Sequence, residues 1–230
     1  VGGIPIDLMA AAGSMDRFTG AAGSMEQFGL CQAYRSAVES GQIVVQELSE
    51  TALLARLGAG ARSLPFLPTR GLIGTDLIAI NPDLVMVPDP FGGPDVVACR
   101  ALIPDVALVH CHCADRFGNL QMEPTAVWPD IGIMPKAAKK VIATVEEIVD
   151  TEVLRSSPER TVLPGFMVDA VVEVPFGAHP TSFNPRYGYD TAFHRGWIAV
   201  SRDPEGIQAW MQRYVYEPAT QEDYLDRVGG

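Results

Sequence analysis

Short apolar runs of four to seven residues, rich in Val and Ile, alternate along the chain with amphipathic stretches of ten or more. That alternation predicts βαβ units around a mostly parallel sheet, expected to be buried on both faces. Residues 6–12, entered at Pro5 and left at Gly13, read as a short helix. Ser24 with Gln27 forms a capping-box pair that opens a helix to about Ser40, stopped by Gly41. Residues 42–48 read as a buried strand, and Ser49 caps a helix that places Leu53, Leu54 and Leu57 on one face and ends at Gly58 or Gly60.

A long segment from Ser63 to Asp76 follows, in which Pro65 and Pro68 are expected to prohibit regular structure. Loops of that length tend to be functional. Residues 84–87, 96–99 and 106–112 read as strands, with turns at 89–95 and 115–119; 140–145 and 168–174 are the last strands. From Asp190 the pattern becomes helical, with Asp203 and Pro204 starting one helix to about Tyr216 and Thr220 capping another. A ten-residue repeat, Ala11 to Phe18 against Ala21 to Phe28, is too short for a solenoid unit. No domain boundary is visible, so residues 1–230 read as a single domain.

Composition narrows the function classes. The 230 residues carry 17 Lys and Arg against 28 Asp and Glu, a formal net charge of −11, which disfavours nucleic acid and anionic membrane surfaces as partners. No run of about 18 apolar residues and no secretory signal pattern occurs, so the expected address is the cytoplasm. Four cysteines are too few and too unevenly spaced for a disulfide framework.

In His110-Cys-His-Cys113 the residue types are those of metal ligands. On a strand, however, the two histidines face one way and the two cysteines the other, so they cannot share one ion. Core packing is the expected role and no metal site is expected, although His112 near a strand end is placed to reach a substrate. No nucleophile elbow, P-loop or dinucleotide fingerprint occurs. Gly2-Gly3 and Gly92-Gly93 would permit close backbone approach to a ligand, but ordinary turn duty is the preferred reading for each.

Open α/β sheets bind ligands beyond the carboxyl ends of their strands, which draws attention to Ser49 and Glu50. On composition alone, their structural roles as N-cap and first-turn acid are the better account. Arg70, on the proline-rich segment, suits either a bidentate clamp on a carboxylate or phosphate or a pin to a neighbouring acid.

Several segments together resemble the α subunit of family I CoA-transferases, and within it the glutaconate CoA-transferase group. They are Gly-Ile-Pro-Ile-Asp-Leu at 3–8, Glu-Gln-Phe-Gly-Leu at 26–30, Leu-Pro-Phe-Leu-Pro-Thr-Arg-Gly-Leu-Ile-Gly-Thr-Asp at 64–76 and Asp-x-x-Gly-Asn at 115–119. Further on come Ala-Ala-Lys-Lys-Val-Ile-Ala-Thr-Val-Glu-Glu-Ile-Val at 137–149 and Phe-Gly-Ala-His-Pro at 176–180.

The resemblance implies an open, mostly parallel α/β sheet with flanking helices, of CoA-transferase type. It also implies a homologous β subunit in a heterodimer or higher heteromer. Coenzyme A is then a substrate rather than a bound cofactor, and the nucleophile is a glutamate of the β subunit that forms a glutamyl-CoA thioester and passes CoA to a carboxylic acid. Ser49, Arg70 and His179 become substrate-binding residues of the α subunit. Family α subunits begin with a further strand and glycine-rich loop upstream of where this sequence starts, at Val1.

Glu50 departs from the transferase pattern, in which Asn often follows the Ser, and resembles the steroid-ring hydrolase branch of the same fold. In that branch Glu50 would be the base in carbon–carbon cleavage of a cyclic acyl-CoA. A third reading is a non-catalytic partner subunit.

Overall fold

The computed structural model describes residues 2–124 and 129–229. In chain order the elements are α1 (Ile4–Ala11), β1 (Arg17–Gly20), α2 (Gln32–Glu39), β2 (Val44–Glu47), α3 (Glu50–Ala61), β3 (Phe66–Thr69), α4 (Leu77–Ile80), β4 (Leu84–Val87), β5 (Val96–Arg100), β6 (Val106–Asp115), β7 (Leu120–Gln121), α5 (Pro129–Ala137), β8 (Lys140–Val149), α6 (Thr151–Arg155), β9 (Thr161–Leu163), β10 (Ala170–Glu173), α7 (Thr191–Val200), α8 (Pro204–Met211) and α9 (Gln221–Val228). They form two compact units: Val1–Glu50 together with Tyr189–Gly230, and Thr51–Gly188. The first border falls after the opening residue of α3 and the second directly after Gly188.

In the first unit β1 and β2 pair in parallel, with Phe18 opposite Val45. Its core gathers Ile4, Met25, Cys31, Phe193, Trp197 and Met211. Within this apolar packing sits Asp7, with no exposed surface. Its Oδ1 accepts the Tyr34 backbone N–H at 2.7 Å and its Oδ2 accepts the Trp197 indole N–H at 2.7 Å, which ties α1 to α2 and α7. Burial pushes the Asp7 carboxyl up, and its hydrogen bonds offset this only in part.

Side-chain caps start the C-terminal helices where the sequence predicts: Asp190 accepts Phe193 N–H, Asp203 accepts Gly206 N–H, and Thr220 and Asp223 form a reciprocal capping box. The helix expected over 24–40 is instead interrupted. Ser24 Oγ accepts the Glu26 N–H at 3.0 Å ahead of a single 3-10 turn (Glu26–Phe28), Gly29 turns away at φ 108°, and α2 starts at Gln32. The two halves of the short repeat diverge here, since Phe18 lies on β1 against Tyr34 whereas Phe28 stacks on His194.

The second unit holds a five-stranded sheet of order β10-β8-β6-β7-β9 and a three-stranded sheet of order β3-β5-β4. The central ladders β6/β8 and β8/β10 are parallel, and the short flanking strands β7 and β9 pair antiparallel. The three-stranded sheet is antiparallel throughout. Pro68 does not exclude regular structure as expected: it sits in β3, an edge strand where a missing backbone donor is tolerated. Helix α3 runs through Gly58 and Gly60 to Ala61. Its buried Arg56 donates to Asp83 at 2.7 Å and to the Arg100 carbonyl, fastening the helix to β5 and the approach to β4.

Alternation along the first halves of β6 and β8 gives the five-stranded sheet two unlike faces there. Ala107, Val109, Cys111, Val141, Ala143 and Val145 are buried, packed with Ile131 and Met134 of α5. The expectation of burial on both faces fails on the other side: Leu108 is 70% exposed and Val172 49% exposed. In the carboxyl half of that face, His110, His112, Thr144 and Glu146 follow, and there Phe183 and Tyr187 pack over the polar side chains.

Candidate active site

Ser49 is half-buried in the position just before α3, and Glu50 is exposed as the first residue of the helix. A carboxylate in a first helical turn faces unpaired backbone N–H groups and the positive end of the helix dipole.

Arg70 follows β3 directly, is exposed and has no ion-pair partner among the described residues. The pin to a neighbouring acid is therefore not what is seen. Its segment turns on Thr69, whose hydroxyl accepts the Gly71 N–H at 3.2 Å. Gly71 passes close beside Thr51, where an added Cβ would lie 3.4 Å from Thr51 Cγ2. The backbone that carries Arg70 thus runs alongside Thr51 in the first turn of α3.

His179 is half-buried in the turn that follows β10, its ring stacked on Phe176 with centroids 4.9 Å apart. Among the predicted residues, then, Ser49 and Glu50 share one helix start, while Arg70 and His179 follow strands of different sheets.

Sequence reasoning missed the group beneath His179. Glu146 Oε1 accepts the Tyr187 hydroxyl at 2.7 Å and lies 2.8 Å from His110 Nε2, while Oε2 accepts the Phe176 backbone N–H at 2.8 Å. Tyr187 Oη in turn accepts the Ala178 N–H at 3.0 Å, and His110 Nδ1 meets the Thr144 hydroxyl at 2.8 Å. Burial alone would raise the Glu146 carboxyl, but the Phe176, Tyr187 and His110 hydrogen bonds together outweigh it and hold the group below the usual glutamate range. The same bond, with burial as the larger cause, pushes the Tyr187 phenol well above its ordinary value.

As the strand pattern implies, His110 and His112 share one side, both against Phe183. His112 does not reach outward to a substrate. It is 4% exposed, its Nδ1 accepts the Glu123 N–H at 3.2 Å, and its Nε2 donates to the Asn184 carbonyl at 3.1 Å. Burial pushes its pKa down, which matches an imidazole with one acceptor and one donor nitrogen. Among the described residues no cluster of His, Cys, Asp and Glu could hold a metal ion. The 115–119 turn forms as predicted, Asp115 Oδ1 accepting the Phe117 and Asn119 N–H groups and Asn119 Oδ1 accepting the Gly165 N–H. Gly92-Gly93 also serves a turn, at φ 83° for Gly92. No helix among the described residues is long and apolar enough to cross a membrane.

Residues 2–174 match the sequence model of the coenzyme A transferase family. The fold agrees with the crystal structure of glutaconate coenzyme A-transferase from Acidaminococcus fermentans at a TM-score of 0.92, with 27% identity, covering 100% of this chain and 77% of that one. The chain therefore belongs to the coenzyme A transferase family. It is 34% identical to the counterpart subunit of 3-oxoadipate CoA-transferase from Pseudomonas knackmussii over 91% of this chain and 74% of that protein. It is 32% identical to the cholesterol ring-cleaving hydrolase IpdA subunit of Rhodococcus jostii over 85% of this chain and 68% of that protein. An Archaeoglobus fulgidus protein is 39% identical over 98% of this chain, which spans 50% of that relative's length.

Proposed function

We propose that this chain is the α subunit of a heteromeric enzyme that moves CoA from an acyl-CoA thioester to a free carboxylic acid. The observation that carries the reading is the fold agreement across the whole chain with a CoA-transferase, joined to the likeness to one subunit of the 3-oxoadipate enzyme. In this reading a glutamate on the homologous β subunit is the nucleophile: it attacks the thioester carbonyl and expels the CoA thiolate. The thiolate then takes the glutamyl carbonyl, releasing the donor acid and leaving glutamyl-CoA; the acceptor carboxylate reverses both steps. The relatives' names point to dicarboxylic acceptors such as 3-oxoadipate or glutaconate.

Arg70 supplies an exposed guanidinium, without an ion-pair partner among the described residues, for a substrate carboxylate. Ser49 stands at the α3 N-terminus, the positive end of the helix dipole, which favours a substrate anion, and His179 contributes a partly buried imidazole. Glu50, at this helix start, is an auxiliary polar group.

A second reading has its own support in the IpdA relative together with the Glu50 carboxylate itself. There Glu50 is a general base for hydrolytic carbon–carbon cleavage. Co-expression of this chain with its β subunit, followed by assay of succinyl-CoA with 3-oxoadipate, separates the two. Glu50→Gln keeps shape and helix start while removing the base. The transferase reading expects turnover within a few fold of wild type, and a loss of about 10² or more would move the assignment to the hydrolase.

A further inference from the structure

The 176–179 turn combines features that are costly in isolation. Phe176 has a φ of 61°, a left-handed conformation that costs a non-glycine residue about 1–3 kcal/mol and persists only where the surroundings over-determine it. A Cβ at Gly177 would come within 2.7 Å of His110 Cε1 and 2.8 Å of the Val174 carbonyl oxygen, so the turn is pressed against the sheet at that point. Its two caught backbone donors, Phe176 N–H and Ala178 N–H, end on Glu146 directly and on Glu146 through the Tyr187 hydroxyl. The Phe176 ring, wedged between Tyr187 at 4.3 Å and His179 at 4.9 Å, carries that placement to the imidazole.

We infer that Glu146 is a positioning residue: its carboxylate fixes the 176–179 turn on the face of the five-stranded sheet and thereby sets where the His179 imidazole is presented to substrate. This rests on the reading of His179 as a substrate-facing residue of a CoA-transfer subunit. The titratable and charged groups around Glu146 are consistent with one ionised acceptor serving several donors. His110 faces it from β6, Tyr187 and Arg186 from the segment beyond the turn, and Arg186 is itself paired with Glu147 at 2.6 Å. A neutral carboxyl or an amide at 146 would turn one of its atoms from acceptor to donor, while the Phe176 N–H can only donate and the Tyr187 hydroxyl already accepts the Ala178 N–H. The strained turn would then be released.

The test has two arms. In the full-length chain, hydrogen exchange follows the amides of 176–179 in Glu146→Gln and in Tyr187→Phe; the latter keeps the ring stack and serves where Glu146→Gln does not fold. The expected result is exchange at least about tenfold faster at these amides, with residues 141–145 in the core strand unchanged. Unchanged exchange in the turn overturns the proposal.

In the enzyme assembled with its β subunit, succinyl-CoA and 3-oxoadipate turnover is compared for Tyr187→Phe, His179→Ala and the double variant. Tyr187→Phe should lower kcat by roughly tenfold with KM for succinyl-CoA changed less than about twofold. It should cost nothing further in the His179→Ala background. Losses that multiply in the double variant contradict action through His179. If the wild-type complex transfers no CoA to any carboxylate offered, the transferase reading falls, and the exchange arm still decides whether Glu146 holds the turn.

Discussion

Asp7 in the first unit and Glu146 in the second are both buried carboxylates fed by backbone and side-chain donors, yet burial prevails at one and hydrogen bonding at the other. Asp7 is sealed among α1, α2 and α7 with apolar neighbours such as Ile4 and Trp197 close around it. Glu146 lies on a sheet face, its side chain 10% exposed, beside the His110 ring and accepting the Tyr187 hydroxyl and a backbone N–H of the strained turn. Both accept several hydrogen bonds, but Asp7 is fully enclosed whereas Glu146 keeps part of its side chain exposed, so desolvation weighs more heavily on Asp7. Asp7 acts as a structural tie within a helical core, whereas Glu146 organises polar groups beneath a candidate substrate residue.

Removing a partner from each hub gives the largest contrast. Glu146→Ala leaves several inward-facing donors without their acceptor and is expected to lower stability by about 3 kcal/mol, read by denaturant unfolding with the slope unchanged. Trp197→Phe removes only one of the donors to Asp7 and a part of a fully buried ring. A loss of about 1–2 kcal/mol is expected, smaller than for Glu146→Ala; the reverse order would mean that Asp7 is the more demanding hub.

The smallest effect is in acid, where the two carboxylates work in opposite directions. The Asp7 pKa is raised, so the cost of its ionised form is full above its folded pKa and disappears as pH falls through that value towards about 3.9. The Glu146 pKa is lowered, so its contribution is full above about 4.3 and is lost as pH falls through its folded value. His112, pushed down mainly by burial, adds to the acid sensitivity of the second unit from about pH 6.5 downward. Carboxyl NMR should show Asp7 titrating above the ordinary aspartate range and Glu146 below the ordinary glutamate range. Hydrogen exchange should show the second unit loosening first on acidification.

Most of the helix starts were legible because their signals are local: Asp190, Asp203 and Thr220 each bond within a few residues of themselves. The central strands were legible for the same reason, through alternation along β6 and β8. Strand β3 was hidden because Pro68 argues against a strand unless the strand is known to lie at an edge, and that is a fact of pairing. The exposed face of Leu108 and Val172 was hidden because alternation identifies two faces without saying what covers either.

At the candidate site, Ser49 and Glu50 were found as a strand-to-helix junction and Arg70 as the cation of an unusual loop. Glu146 reads as an ordinary outward polar residue of a strand, because its partners His110, Phe176 and Tyr187 lie 36, 30 and 41 residues away. The β6/β8 register, with His110 opposite Thr144, brings in the histidine, and the β8/β10 pairing leads the chain on to Phe176 and Tyr187.

Whether this chain assists CoA transfer while a β subunit carries the covalent intermediate, as proposed, can be read from the mass of each subunit. The assembled enzyme is exposed briefly to succinyl-CoA and quenched in acid. The expected products are CoA bound as a thioester to a glutamate of the β subunit, this chain unmodified, and an adduct discharged by an acceptor carboxylate such as 3-oxoadipate. Consumption of the acyl-CoA with the β subunit never carrying an adduct, and with activity abolished by Glu50→Gln, would contradict it.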